Sequence, residues 1–179
     1  MSFKFNKENQ TILQNILSKY PKERKKSAVM PLLDLAQRQN NNYISKDIIE
    51  YVAQTLEMPE IKVYEVATFY SMYNLKPVGK FLLQVCGTTP CMLRGSEDLI
   101  KLCKEKFGVG KEETSEDNYF TLKEVECLGA CVNAPVVQIN DDYYEDLTVE
   151  NFEKILEDLK NDKPVKIGSQ IDRQCSKPI

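Results

Sequence analysis

Four cysteines in two short motifs are the residues best suited to chemistry. Cys86 and Cys91 lie in CGTTPC with four residues between them, and Cys127 and Cys131 lie in CLGAC with three between them. Thiolates bind zinc and iron–sulfur clusters in proteins. Because the chain has 0 histidines, imidazole acid–base catalysis and a Cys–His nucleophile are excluded within it. A soft-metal site here would consist of thiolates.

The spacing leaves three interpretations of these thiols open. A [2Fe-2S] cluster takes two cysteines on each iron, and turns of three or four intervening residues leave room for its bridging sulfides. Structural zinc usually takes a tighter pair, with two intervening residues. Packed or disulfide-forming thiols are the third interpretation, because cysteines are common in cores. The spacing favours the iron–sulfur cluster, and Gly87 and Gly129 would allow close backbone approach to it.

Two further cysteines are left out of the predicted site. Cys103 shares a predicted helical face with Leu99 and Phe107 and is interpreted as a small buried hydrophobic residue. Cys175 lies in a polar segment and has no second cysteine at a useful spacing.

Composition indicates an ordinary soluble globular protein. The chain has 179 residues, 42% hydrophobic and 28% charged, which is enough to bury a core. A net charge of -3 argues against nucleic-acid binding, which needs a basic patch. We expect no direct membrane insertion, since no apolar run reaches about 18 residues. The opening MSFKFNKENQ lacks the pattern of a secretory signal, so we expect a reducing compartment, where cysteines are ligands or buried thiols.

Residues 1–78 show helical periodicity and no strand pattern, which predicts a four-helix bundle. The second helix is expected to begin at Ser27 and bend near Pro31, Ser45 to cap the third, and Pro59 to open the fourth. In VYEVATFYSMYN we expect Phe69 in the core. The other rings of this stretch are expected at a subunit interface: Tyr64, Tyr70 and Tyr73.

Residues 79–162 predict a domain with the order strand, helix, strand, strand, strand, helix. Its first helix is predicted over LRGSEDLIKLCKEKFG and closed by Gly108, and its last is predicted to be capped by Thr148. A strand–helix–strand unit makes a right-handed crossover that leaves its strands parallel. Because Cys86 and Cys127 close the first two strands, both cysteine pairs are expected at one edge of the sheet. Residues 163–179 are expected to form an extended C-terminal tail lying over a partner.

Several segments together resemble the E-subunit family of the NADH:quinone oxidoreductases, that is, of respiratory complex I. They are SAVMPLLDLAQ, VYEVATFYSMYN, PVGK, CGTTPC and ECLGACVNAP, followed by a tyrosine-bearing turn and LT before the last helix. The resemblance runs over nearly the whole chain. It implies an α+β protein in which an N-terminal helical bundle precedes a thioredoxin-like α/β [2Fe-2S] ferredoxin domain. It also implies that Cys86 and Cys91 hold one iron of a single cluster and that Cys127 and Cys131 hold the other.

The resemblance further implies an electron-transfer subunit of an oxidoreductase (translocase), with no complete active site in this chain alone. FMN and NADH are expected on a flavoprotein partner subunit, beside other peripheral-arm subunits. The expected location is the cytoplasmic side of the bacterial inner membrane, with the mitochondrial matrix side as the alternative. The family also resembles diaphorase subunits of NAD-dependent formate dehydrogenases and NAD-reducing hydrogenases. A zinc-stabilised interaction module and a dithiol redox protein are the remaining alternatives.

Overall fold

The computed structural model describes residues 3–174, and the chain divides between Val78 and Gly79 into two compact units. Each unit has its own hydrophobic core. Within residues 3–174 no helix has both the length and the apolar character needed to cross a membrane.

The first unit consists of four α-helices and a short 3₁₀ segment, Lys22–Ala28, before the second helix. Buried aliphatic residues of all four helices form its core, and α3 buries Ile48, Ile49, Val52, Ala53 and Leu56. Ser45 stands at the predicted N-cap position of α3, but its side chain makes no capping hydrogen bond. The helices are α1 (Lys7–Ser18), α2 (Val29–Gln39), α3 (Lys46–Leu56) and α4 (Glu60–Phe69).

Four sequence predictions for this unit are wrong in detail. α2 begins at Val29, so Pro31 lies in its first turn, where backbone amides lack intrahelical partners and proline is tolerated. Non-helical dihedral angles occur instead at Arg24 in the 3₁₀ segment. Phe69 is 80% exposed, whereas Tyr73 is 4% exposed and its hydroxyl donates to the Met30 carbonyl at 2.9 Å. The core therefore takes the tyrosine that was expected at an interface.

The second unit is built on a six-stranded sheet in the order β2-β3-β1-β4-β5-β6. β1 pairs in parallel with β3, as predicted, and antiparallel with β4. β5 pairs antiparallel with β4 and in parallel with β6. The strands are β1 (Phe81–Cys86), β2 (Glu113–Thr114), β3 (Phe120–Val125), β4 (Val137–Ile139), β5 (Asp142–Glu145) and β6 (Gly168–Ser169).

Three helices accompany the sheet: α5 (Thr89–Leu93), α6 (Ser96–Phe107) and α7 (Val149–Lys160). The single helix predicted from residue 93 instead begins at Ser96, because Gly95 takes a left-handed conformation with φ of 97° and separates α5 from α6. Gly108 closes α6 as predicted. α7 opens with a capping box between Thr148 and Asn151.

The segment after α7 packs more closely than the expected extended tail. Val165 and Ile167 pack against the core of the second unit, and Gly168 and Ser169 are buried in β6. Ser169 pairs with Glu145 of β5. Gly168–Ser169 thus form one edge of the sheet.

Candidate metal centre

The parallel pairing of β1 and β3 brings the two cysteine motifs to one edge of the sheet. Cys86, the last residue of β1, lies opposite Val125, the last residue of β3. The Gly87 amide donates to the Val125 carbonyl at 3.0 Å, so the two strands remain paired where both loops begin. Cys127 follows two residues after β3. The edge predicted from the strand order is therefore the edge that carries both motifs.

Cys86 and Cys91 form a buried pair, each 1% exposed. The short helix α5 turns the chain after β1 and brings Cys91 into the same buried cluster as Cys86. The Cys86 sulfur lies 3.2 Å from the Thr88 hydroxyl oxygen. Ala130, Ala134 and Val136 complete a small apolar cluster around the two thiols. Water is thereby kept from this side of the site.

The two buried thiols differ in acidity. Burial would raise the pKa of Cys86, but hydrogen bonds from Thr88 and from the Leu128 backbone outweigh it and lower the pKa below its ordinary value. Burial, reinforced by the hydrogen bond with Cys86, raises the pKa of Cys91 to about 12. In the absence of a bound cation, the Cys86–Cys91 pair therefore favours a state with one thiolate and one thiol. A cation would compensate the charge of a second thiolate.

Cys127 and Cys131 form a second, exposed pair, with their sulfur atoms 3.4 Å apart. Gly129 adopts a φ of 84°, which favours glycine, and its amide donates to the Cys127 sulfur at 3.4 Å. That hydrogen bond lowers the pKa of Cys127. The hydrogen bond with Cys127 raises the pKa of Cys131. The CLGAC turn thus presents two adjacent sulfur atoms to solvent.

The two pairs lie close enough to influence each other. The charge of Cys86 acts on both Cys127 and Cys131, and the charge of Cys131 acts on Cys91. The Thr88 hydroxyl helps to lower the pKa of Cys127 as well as that of Cys86. In the described residues, no group of three or more His, Cys, Asp or Glu side chains converges as ligands of a single metal ion. The structure therefore brings all four predicted site residues together as two pairs.

This donor set fits a binuclear iron–sulfur group. Such a group takes two thiolates on each of two irons, which are separated by bridging sulfides. The four thiols supply one buried and one exposed pair. A cluster bound between them would have one side against apolar residues and one side towards solvent.

Two polar residues of the site were missed by the sequence analysis. Thr88 lies inside CGTTPC, so the motif itself was a usable signal for it. Tyr143 of β5 donates its hydroxyl to the Leu128 carbonyl at 2.9 Å and fixes the CLGAC turn. Burial, followed by the nearby Cys127 charge, raises the pKa of Tyr143 above its ordinary value. The partner of Tyr143 could be found only in three dimensions.

The remaining cysteines lie elsewhere. Cys103 is 0% exposed in the core of the second unit, as predicted, and burial raises the pKa of its thiol to about 12. Cys175 lies outside the described residues.

Comparison with known proteins gives a family and several similar sequences. A family model described as thioredoxin-like [2Fe-2S] ferredoxin matches residues 13–160. The chain is 62% identical over 161 residues to the E subunit of the NADH-quinone oxidoreductase of Rickettsia bellii (strain RML369-C), covering 90% of this chain and 96% of that protein. It is 52% identical over 174 residues to the mitochondrial NADH dehydrogenase [ubiquinone] flavoprotein 2 of Dictyostelium discoideum, covering 97% of this chain and 70% of that protein.

Solved structures support the fold. The chain superposes on the NAD+-reducing [NiFe]-hydrogenase in its air-oxidized state with a TM-score of 0.65 at 16% identity. This match covers 74% of the chain and 23% of the hydrogenase chain. At this identity the likeness shows a common fold.

Proposed function

Because the chain belongs to the thioredoxin-like [2Fe-2S] ferredoxin family, we propose that it holds one [2Fe-2S] cluster and transfers single electrons as a subunit of an NADH:quinone oxidoreductase. The observation that carries this proposal is the pairing of four thiols at one sheet edge, without histidine anywhere in the chain. A bound cluster would supply a one-electron carrier, a chemistry that side chains alone do not provide.

We assign Cys86 and Cys91 to one iron and Cys127 and Cys131 to the other. The assignment follows the two pairs: Cys86 and Cys91 share one buried cluster, and the sulfur atoms of Cys127 and Cys131 lie 3.4 Å apart. Loss of thiol protons on metal binding would remove the difference in acidity between Cys86 and Cys91.

The residues around the thiols adjust the environment of the sulfur atoms. The Thr88 hydroxyl and the Gly129 amide hydrogen-bond to ligand sulfur and so stabilise negative charge there. Ala130, Ala134 and Val136 exclude water from the buried side, which works in the opposite sense by disfavouring charge. Hydrogen bonding and burial therefore have opposite effects on negative charge at the sulfur atoms.

We propose that the exposed side of the site faces a flavoprotein subunit that carries NADH and FMN. Two apolar side chains close in sequence to the cysteines are exposed: Leu93 at 76% and Val132, next to Cys131, at 87%. Exposed apolar groups beside a redox site are suited to a protein partner that excludes water. Other peripheral subunits would hold the chain at the cytoplasmic face of the inner membrane.

The experiment is iron and acid-labile sulfide analysis of anaerobically purified protein, together with visible absorption and paramagnetic resonance after reduction. We expect equal amounts of iron and sulfide, a reddish-brown colour, and a signal on reduction. Cys91→Ser should lose the intact cluster, whereas Cys103→Ser, the matched control in the core, should keep it. A colourless protein would overturn the proposal. Zinc release on denaturation would then indicate a zinc module, and rapid alkylation of the thiols a dithiol protein.

A second assembly is also consistent with the fold. A chain of an NAD+-reducing [NiFe]-hydrogenase shares it, as the superposition indicates. The 62% identity to the Rickettsia bellii protein favours the quinone-reducing complex. Identification of the subunits that co-purify with the chain distinguishes the two assemblies.

A further inference from the structure

The C-terminal segment returns to the loop that carries Cys131. Arg173 donates from Nη2 to the Val132 carbonyl at 2.7 Å and to the Asn133 amide oxygen at 2.5 Å. Val132 and Asn133 directly follow Cys131 and share its short 3₁₀ turn. A residue 42 positions along the chain from Cys131 therefore holds the backbone beside a proposed cluster ligand.

Asn133 connects this turn to the sheet. Its side chain is 4% exposed and donates to the Glu145 carboxylate at 2.6 Å and to the Gln174 carbonyl at 2.7 Å. Its carbonyl accepts from the Asp146 amide at 2.7 Å. Because Glu145 belongs to β5 and is 0% exposed, the turn is anchored in the interior of the unit.

The carboxylate of Asp146 holds the side chain of Arg173 in position. Its two carboxylate oxygens accept from Arg173, from Nη2 at 2.8 Å and from Nε at 3.4 Å, and the side chain is 5% exposed. The Ser169 hydroxyl of β6 donates to the same carboxylate at 2.6 Å and accepts from the Arg173 amide at 3.1 Å. A two-pronged contact between guanidinium and carboxylate gives a defined orientation that a single cation would not give.

We propose that Arg173, Asp146 and Asn133 form a clamp that positions Cys131 for the cluster, with Arg173 as its central positioning residue. The inference rests on the proposed function, because it presumes that Cys131 is a ligand. The effect does not arise from the positive charge of Arg173, because the carboxylate of Asp146 compensates that charge. The clamp acts through geometry: it holds the backbone that directly follows an exposed cysteine at the start of a three-residue 3₁₀ turn.

The two cysteine pairs differ in their need for such support. Cys86 is fixed by strand pairing and Cys91 by the helix α5, and both are buried. Cys127 and Cys131 are exposed, and the Tyr143 hydroxyl reaches only the Leu128 carbonyl at the start of their turn. The clamp supports the other end of the same turn.

The test compares Arg173→Met, Arg173→Lys and Asp146→Asn with wild-type protein carrying its cluster. Asparagine is a mild replacement at position 146, where φ is 55°, because it tolerates left-handed backbone. Lys166→Gln is the matched control: it removes a cation from the same segment, one that pairs with the exposed Asp172. The measurements are the rate of cluster loss to an iron chelator and the linewidth of the reduced paramagnetic signal.

We expect Arg173→Met to lose its cluster about 10-fold faster than wild type, the usual scale for groups that orient a metal ligand. Its signal should broaden, because Cys131 would occupy a range of positions. Arg173→Lys and Asp146→Asn should show intermediate rates and linewidths, and Lys166→Gln should match wild type. Linewidth reports ligand geometry, which a loss of overall stability alone does not change below the unfolding transition.

Wild-type rates and linewidths in Arg173→Met would overturn the clamp. If Arg173→Met does not fold, unchanged behaviour of both Arg173→Lys and Asp146→Asn would overturn it. Faster loss with an unchanged linewidth would also overturn it, because it would indicate a purely stabilising role. A wild-type chain without iron and sulfide would overturn the proposed function itself, and iron analysis separates that outcome from the others.

Discussion

Tyr143 shows how a single hydroxyl supports the exposed thiols. It is half-buried and donates to the Leu128 carbonyl, inside the turn that carries Cys127 and Cys131. Tyr143→Phe should lower the free energy of unfolding by about 1 kcal/mol, since one intramolecular hydrogen bond is lost. Urea denaturation measures the change. Tyr64→Phe removes a hydroxyl from an exposed tyrosine and serves as the control; equal stability of the two variants would contradict the prediction.

Cys103 gives a pH dependence whose sign follows from burial. The pKa of its thiol is raised from the ordinary 9.0 to about 12. Below pH 9 both folded and unfolded chains keep this proton, so its contribution to stability is constant. Between pH 9 and about 12 the unfolded chain releases the proton while the folded chain keeps it, and the free energy of unfolding falls as pH rises.

Cys103→Ala should therefore lose stability less steeply than wild type in alkaline solution. The difference in slope is expected to reach up to about 1.4 kcal/mol per pH unit. Denaturation curves from about pH 8 to about pH 11 measure it, and the other alkaline groups contribute equally to both proteins. Parallel slopes would show that the Cys103 thiol ionises as readily when folded as when unfolded.

At the scale of residues, the sequence predicted the four thiols but not their supports. Spacing and strand order are local signals, and they were enough to place Cys86 and Cys127 at one edge. Arg173 and Asp146 lie in segments distant in sequence, so neither position carries a pattern that indicates the contact. The Phe69 prediction failed because α4 is apolar on most sides, which leaves its buried face undetermined by sequence.

Among the elements, α7 has the clearest start signal. The Asn151 amide donates to the Thr148 hydroxyl at 3.2 Å, and the Thr148 amide donates to the Asn151 side chain at 2.8 Å. Thr148→Ala should lower the free energy of unfolding by about 1 kcal/mol, because the first turn of α7 loses its cap. Lys154→Ala, on the exposed face of the same helix, should change it by less than about 0.5 kcal/mol. Thermal and urea denaturation test both, and equal effects would refute the role of the cap.

The elements that escaped prediction are short ones. β2 and β6 have two residues each, too few for an alternating pattern to be recognised. Gly95 separates α5 from α6 by its left-handed conformation. A glycine can adopt this conformation but need not, so its presence alone does not predict the break. Long periodic segments such as α3 and α7 were recognised because their buried faces repeat over several turns. Pairing partners of two-residue strands are determined by tertiary structure alone.

For the molecule as a whole, two independent cores predict two independent folding units. The buried apolar residues of the first unit lie between Phe5 and Tyr73, and those of the second between Leu82 and Leu159. Fragments 1–78 and 79–179 should each give a cooperative thermal transition when produced separately. Calorimetry and circular dichroism measure this, with the whole chain as the reference. A fragment without a transition would show that its core depends on the other unit.

The edge strands of the six-stranded sheet affect how readily the protein aggregates before it binds other subunits. Both outermost strands, β2 and β6, are two residues long, and beside β2 the longer β3 carries the charged Lys123 and Glu124. A long, flat, uncharged edge strand is a template on which a second chain can add a strand and begin a fibril. We therefore expect newly synthesised copies to resist polymerising through their sheets.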